Sequence, residues 1–141
     1  MISSGLYLGY LPKAPGTFGS LLGLLIYLML RDLRLIYIVV VVLLFIAGFL
    51  VSKRAEDIFD QKDSPKIVID EIAALCFVYL FIEPTWLMVL LGFVLFRIFD
   101  IFKPFPIKRL QKIPGSLGVM LDDIVAAGYT VVVLLILRNI V

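Results

Sequence analysis

Five apolar segments, parted by short charged or Pro- and Gly-rich stretches, leave this chain few ways to fold. They run Thr17–Leu30, Leu35–Ser52, about Ile67–Ile82, about Trp86–Ile101 and about Leu117–Leu137. The second carries no charge and is rich in β-branched residues. A soluble domain of 141 residues cannot hide so many apolar side chains, because small domains leave much of their surface wet. The 62% hydrophobic content and mean hydropathy of +1.12 agree. Lipid is the natural solvent. The expected fold is all-α: one domain, residues 1–141, forming a polytopic membrane bundle of about five short transmembrane helices.

A span usually needs ~20 residues, and at least ~17, so segments one, three and four are short. The first either spans or re-enters. Short helices are workable when their polar ends lie in a protein-lined pocket below the lipid surface. Charge placement favours five passes. That topology puts Lys13, the Lys53–Lys66 loop and the Lys103–Lys112 loop on one side, nine basic residues in all, with Arg97 just inside segment four. The other side holds only Arg31, Arg34 and Arg138. By the positive-inside rule the rich side is cytoplasmic. No cleavable signal is expected, since the first ten residues lack a basic start followed by an apolar core.

A net charge of +2 offers no field for nucleic acid. Cys76 is the only cysteine, which excludes an intramolecular disulfide, and the absence of histidine excludes any mechanism needing an imidazole.

Ionisable residues in or at the ends of spanning segments are expensive, and are functional candidates for that reason. Here they are Asp70, Glu71, Arg97, Asp100, Asp122 and Asp123, expected at the cytoplasmic ends of helices three, four and five. Helix capping explains one acid per N-terminus. It explains adjacent pairs poorly, and Asp100 at a helix C-terminus not at all. In Asp70-Glu71-Ile72-Ala73-Ala74 and Asp122-Asp123-Ile124-Val125-Ala126-Ala127, a small residue sits one turn below the first acid. Small residues let helices approach, which would draw the two pairs together. Five converging carboxylates need protons, partners or a cation. Arg97 and Lys103, three residues either side of Asp100, offset part of the charge, and a hard divalent ion, Mg²⁺, suits the remainder. A softer metal is not expected, with no imidazole and Cys76 in mid-helix.

Pro15-Gly16-Thr17-Phe18-Gly19-Ser20 combines glycines, two hydroxyls and a helix start, the makings of an anion cradle. The same residues also serve as ordinary caps and packing positions. Lys103, fixed between Asp100 and Pro104, is placed to meet a phosphate. Lys108, Arg109 and Lys112, beyond both prolines, read as headgroup anchors.

At these residues the chain resembles the phosphatidylglycerophosphatase A family. The resemblance rests on Pro15-Gly16-Thr17-x-Gly19-Ser20, Asp63 and Ile67-Val68-Ile69-Asp70-Glu71. It continues through Phe96-Arg97-Ile98-Phe99-Asp100-x-x-Lys103-Pro104-x-Pro106-Ile107. It ends with Gly115-x-x-Gly118-x-Met120-x-Asp122-Asp123-Ile124-Val125-Ala126-Ala127-Gly128. The blocks extend from about Gly9 to Tyr129. The resemblance implies a multi-pass lipid phosphatase of the bacterial inner membrane, dependent on Mg²⁺ and facing the cytoplasm. It would turn phosphatidylglycerophosphate into phosphatidylglycerol and inorganic phosphate.

Absences narrow the chemistry further. Without histidine, Cys-x5-Arg or Asp-x-Asp, no histidine, cysteine or aspartyl-phosphate nucleophile is available. Direct attack by water activated at Mg²⁺ remains. Asp70, Glu71, Asp100, Asp122 and Asp123 are the expected metal-binding and catalytic set. Thr17, Ser20, Arg97 and Lys103 are expected to hold phosphate. The alternative is a small ion-coupled transporter with a carboxylate cation site, whose acids would sit nearer mid-bilayer.

Overall fold

The structure, a computed structural model, describes residues 15–59, 68–83, 85–114 and 116–140. Lys13, Asp63, the 61–65 loop, Lys66, Ile67 and Gly115, all part of the sequence argument, lie outside the described residues. Every regular element among the described residues is a helix, as expected. The helices are α1 (Pro15–Leu30), α2 (Arg34–Phe59), α3 (Ile69–Val78), α4 (Trp86–Phe102), α5 (Ile107–Leu110) and α6 (Ser116–Ile140).

Local chemistry sets several of these ends. Proline at the first position of α1 suits a helix start, where its missing N–H would be unpaired anyway. The Thr85 hydroxyl caps α4 by accepting from the Met88 N–H at 3.3 Å. Lys103 closes α4 with φ 45°, in the left-handed region, while its N–H reaches the Phe99 carbonyl at 2.9 Å.

α3 is shorter than the apolar segment that contains it. It has 10 residues, about 15 Å of helix, roughly half a hydrocarbon core. Val68, Ala73, Ala74, Leu75, Cys76 and Val78 are fully buried, because α1, α2, α4 and α6 all pack against α3. It is the axis of the bundle. Close approach by α1 comes from Gly19 and Gly23: a Cβ on Gly23 would lie 3.0 Å from the Ile72 carbonyl oxygen. Cys76 is a free thiol whose Sγ meets the Gly23 carbonyl at 3.4 Å in this same seam.

Successive long helices run in alternating directions. One end gathers the start of α1, the start of α3, the end of α4 and the first half of α6, tied by Arg97–Glu71 and Lys103–Asp122 contacts. The other end carries Arg31 over the Trp86 ring and the Arg138–Glu83 ion pair. α5 was not expected. It lies in the connection between α4 and α6, held by buried Ile107 and by the Tyr129 hydroxyl donating to the Phe105 carbonyl at 2.7 Å; the Phe105–Pro106 bond is cis.

The distribution of polarity is inverted relative to a water-soluble bundle. Leu35, Val39, Leu43 and Leu50 of α2, Leu87, Leu90 and Ile101 of α4, and Val132 and Ile136 of α6 are all exposed. Asp70, Asp100, Asp122, Asp123, Ser20 and Thr130 are buried. Arg34–Val51 within α2 and Met120–Ile140 within α6 are long and apolar enough to cross a membrane. Two described helices, not five, reach that length by themselves.

Candidate active site

The polar end is built around the first turn of α3. Asp70 and Glu71 occupy its second and third positions, where the N-terminal dipole favours negative charge. Burial of α3 on every side carries Asp70 inside with it, 5% exposed. Glu71 is turned toward the first turns of α1. There Gly16 and Gly19 leave room: a Cβ on Gly16 would overlap the Glu71 carboxylate and lie 3.1 Å from Arg97 Nη1. A Cβ on Gly19 would lie 3.1 Å from Glu71 Oε2. The glycines of the expected anion cradle therefore admit a protein carboxylate, a role the sequence did not reveal.

α4 brings Arg97 and Asp100 one turn apart on the same face. Arg97 Nη1 donates to Asp100 Oδ2 at 2.5 Å and reaches Glu71 Oε1 at 3.5 Å. Its Nε is buried without a hydrogen-bond partner among the described residues. Lys103 follows, three residues on. Its left-handed backbone is unusual for a residue with a Cβ, and it sends Nζ across to Asp122 Oδ2 at 2.6 Å. Burial disfavours the Lys103 ammonium. The hydrogen bond and charge of Asp122, with Asp123 and Asp100 beyond, outweigh that and raise its pKa, so it stays charged at neutral pH.

Asp122 and Asp123 do not open a helix. α6 starts at Ser116 and has no acid in its first turn, so the pair lies almost two turns in and capping cannot account for it. Both residues are buried, 2% and 3% exposed. Asp122 Oδ1 accepts the Asp123 backbone N–H at 3.0 Å. All five expected carboxylates thus converge. Asp70, Asp122 and Asp123 offer oxygens within 4.8 Å of one another, and so do Glu71, Asp100 and Asp123.

The four expected phosphate contacts divide. Arg97 and Lys103 stand at the carboxylates, Arg97 against Glu71 and Asp100 and Lys103 against Asp122. Thr17 is half-buried in the first turn of α1. Ser20 is fully buried, its hydroxyl donating to the Gly16 carbonyl at 2.9 Å, so Thr17 is the more accessible hydroxyl. Lys108, Arg109 and Lys112 are exposed and outside the cluster, Arg109 stacking over the Phe105 ring at 5.0 Å.

Clustered carboxylate oxygens are a donor set for a hard cation, and adjacent guanidinium and ammonium groups suit a phosphate. A helical protein with an apolar outer face and such a site belongs, as a class, with enzymes that handle phosphate esters beside a membrane. Comparison with known proteins gives the particular family. Residues 1–138 match the phosphatidylglycerophosphatase A family, and the chain belongs to it. It is 35% identical over 138 residues to the phosphatidylglycerophosphatase A of Haemophilus influenzae, covering 94% of this chain and 84% of that protein. It is 35% identical over 131 residues to the Escherichia coli K12 protein of the same name, covering 89% and 75%. It is also 31% identical over 147 residues to a Bacteroides thetaiotaomicron protein named "Putative phosphatidylinositol-3-phosphatase", covering 98% and 92%. No solved structure matches the chain.

Proposed function

We propose that this protein is a Mg²⁺-dependent phospholipid phosphatase of the bacterial inner membrane. It removes the terminal phosphate of phosphatidylglycerophosphate, yielding phosphatidylglycerol and inorganic phosphate in phospholipid synthesis. The observation that carries this reading is the meeting of five carboxylates with Arg97 and Lys103 at one end of an apolar-faced bundle, in a chain of this family.

Asp70, Asp122 and Asp123 would hold Mg²⁺, with Glu71 and Asp100 as further ligands or as the base that orients water. When bound, Mg²⁺ supplies charge stabilisation and a more acidic water. Arg97 and Lys103 bind the phosphate and draw off charge as it develops on the phosphoryl oxygens, Arg97 with an Nε–H that has no partner among the described residues. The Thr17 hydroxyl adds a neutral donor at the start of α1. Pro104, Phe105 and Pro106 position the exposed bases at headgroup level.

In the membrane we infer five passes with the site toward the cytoplasm. The alternating helix directions and the basic bias of the site end support that reading. α1, α3 and α4 are short for spans, and their polar ends lie against protein, which lipid tolerates. The ion-coupled transporter is not favoured, given the family and acids clustered at one end of the bundle.

Detergent-purified protein should release phosphate from phosphatidylglycerophosphate with Mg²⁺ and stop on chelation. Release unaffected by chelation would remove the metal from the reading, and no release at all would remove the activity. The name of the Bacteroides relative points to another headgroup, so phosphatidylinositol phosphate belongs in the same assay. Faster release from it would move the substrate while leaving the reaction type.

A further inference from the structure

The five carboxylates form two overlapping sets, and Asp123 alone belongs to both: Asp70, Asp122 and Asp123 in one, Glu71, Asp100 and Asp123 in the other. Each set has its own basic neighbour. Lys103 pairs with Asp122 in the first, and Arg97 pairs with Glu71 and Asp100 in the second. Asp123 differs from these. It is 3% exposed, and its backbone N–H donates to Asp122 Oδ1. Among the described residues no donor or cation meets its carboxylate. An ionised carboxylate buried in that way costs several kcal/mol unless something positive reaches it.

We propose that the site takes two divalent cations with Asp123 as their shared ligand, Asp70 and Asp122 completing one position and Glu71 and Asp100 the other. This rests on the metal-dependent phosphatase reading above and specifies its metal content. Charge balance points the same way. Were all five carboxylates ionised as metal ligands, Arg97 and Lys103 would leave three negative charges. One divalent cation leaves the site net negative, which repels a phosphate monoester carrying about −1.5 to −2 charges at neutral pH. A second cation reverses the sign and makes the site attractive to that anion. Paired hard cations recur in phosphate-ester hydrolases. The positions are also unequal: the first set is wholly buried, whereas Glu71 in the second keeps 15% of its side chain exposed.

The test uses the full chain in detergent, stripped of metal and titrated with Mn²⁺. Equilibrium dialysis reads stoichiometry, and electron paramagnetic resonance reads whether the ions are spin-coupled. Two Mn²⁺ per chain with a coupled spectrum support the proposal. Asp123→Asn should abolish the coupled signal and weaken binding at least tenfold, and Glu71→Gln should leave one ion with an isolated-ion spectrum. If either variant fails to fold, the wild-type count and spectrum decide. One Mn²⁺ per chain at saturating activity would overturn the pair and leave the phosphatase reading standing. Two uncoupled ions would overturn the role of Asp123. No binding, with phosphate release indifferent to chelation, would overturn both readings.

Discussion

Lys103 Nζ and Asp122 Oδ2 meet at 2.6 Å across the seam between α4 and α6, joining residues 19 apart in sequence. The contact has two consequences. It neutralises a carboxylate that is 2% exposed, and it fixes an ammonium beside the other acids. The left-handed backbone at Lys103 aims the side chain there instead of along the α4 axis.

Lys103→Ala is therefore expected to lower turnover about a hundredfold, on the order of 3 kcal/mol, the scale of losing one charge-stabilising donor in a dry site. Lys108→Ala and Lys112→Ala should weaken substrate capture only a few-fold, as headgroup contacts do. Mixed-micelle kinetics separates the two outcomes. A double-mutant cycle with Asp122→Asn should show strong non-additivity, because the two side chains share one contact. Equal, small losses at all three lysines would make Lys103 one more anchor.

Asp70→Asn and Asp122→Asn keep shape while removing charge. Both variants should insert and fold, and each should lose orders of magnitude in phosphate release. Near-normal turnover of both at saturating Mg²⁺ would contradict the metal assignment.

Gly16→Ala tests the seam between α1 and the site. The added methyl overlaps the Glu71 carboxylate, and such overpacking costs about 1–3 kcal/mol. Thermal stability in detergent should fall, and turnover should drop at least tenfold as Glu71 and Arg97 shift. Phe18→Ala, two residues on and exposed, should change turnover by no more than about twofold. A Gly16→Ala enzyme with normal kinetics would show that Glu71 has room to move without consequence.

Arg138→Ala probes the far end of the bundle. Arg138 and Glu83 pair there with both side chains about half exposed, so the loss in stability should stay within about 1 kcal/mol. Turnover should not change. A large catalytic defect would mean that the two ends are coupled.

Membrane orientation is open to reporter fusions. A reporter after Ile140 should report the periplasm, and one inserted in the 61–65 loop the cytoplasm. The same side for both would exclude five passes.

The residues themselves determined a good deal. The apolar segments announced an all-helical chain, and acids inside them marked the site, because an ionised group in an apolar stretch is too costly to be incidental. All five carboxylates, with Arg97 and Lys103, were named from that logic and do converge. What the sequence could not determine depends on where helices begin and what packs against them. Asp122 and Asp123 look like a helix start in the string, yet α6 begins at Ser116 and carries them inward. Gly16 and Gly19 look like a cradle for substrate, yet their missing side chains make room for Glu71, 52 residues from Gly19. Ser20 looks like a phosphate ligand until helix geometry points its hydroxyl at the Gly16 carbonyl. The place of Asp123 in two sets of acids is likewise a product of three helices meeting. Hydropathy and charge act locally and can be read along the chain. Close packing couples residues distant in sequence, and only the assembled bundle decides which of them touch.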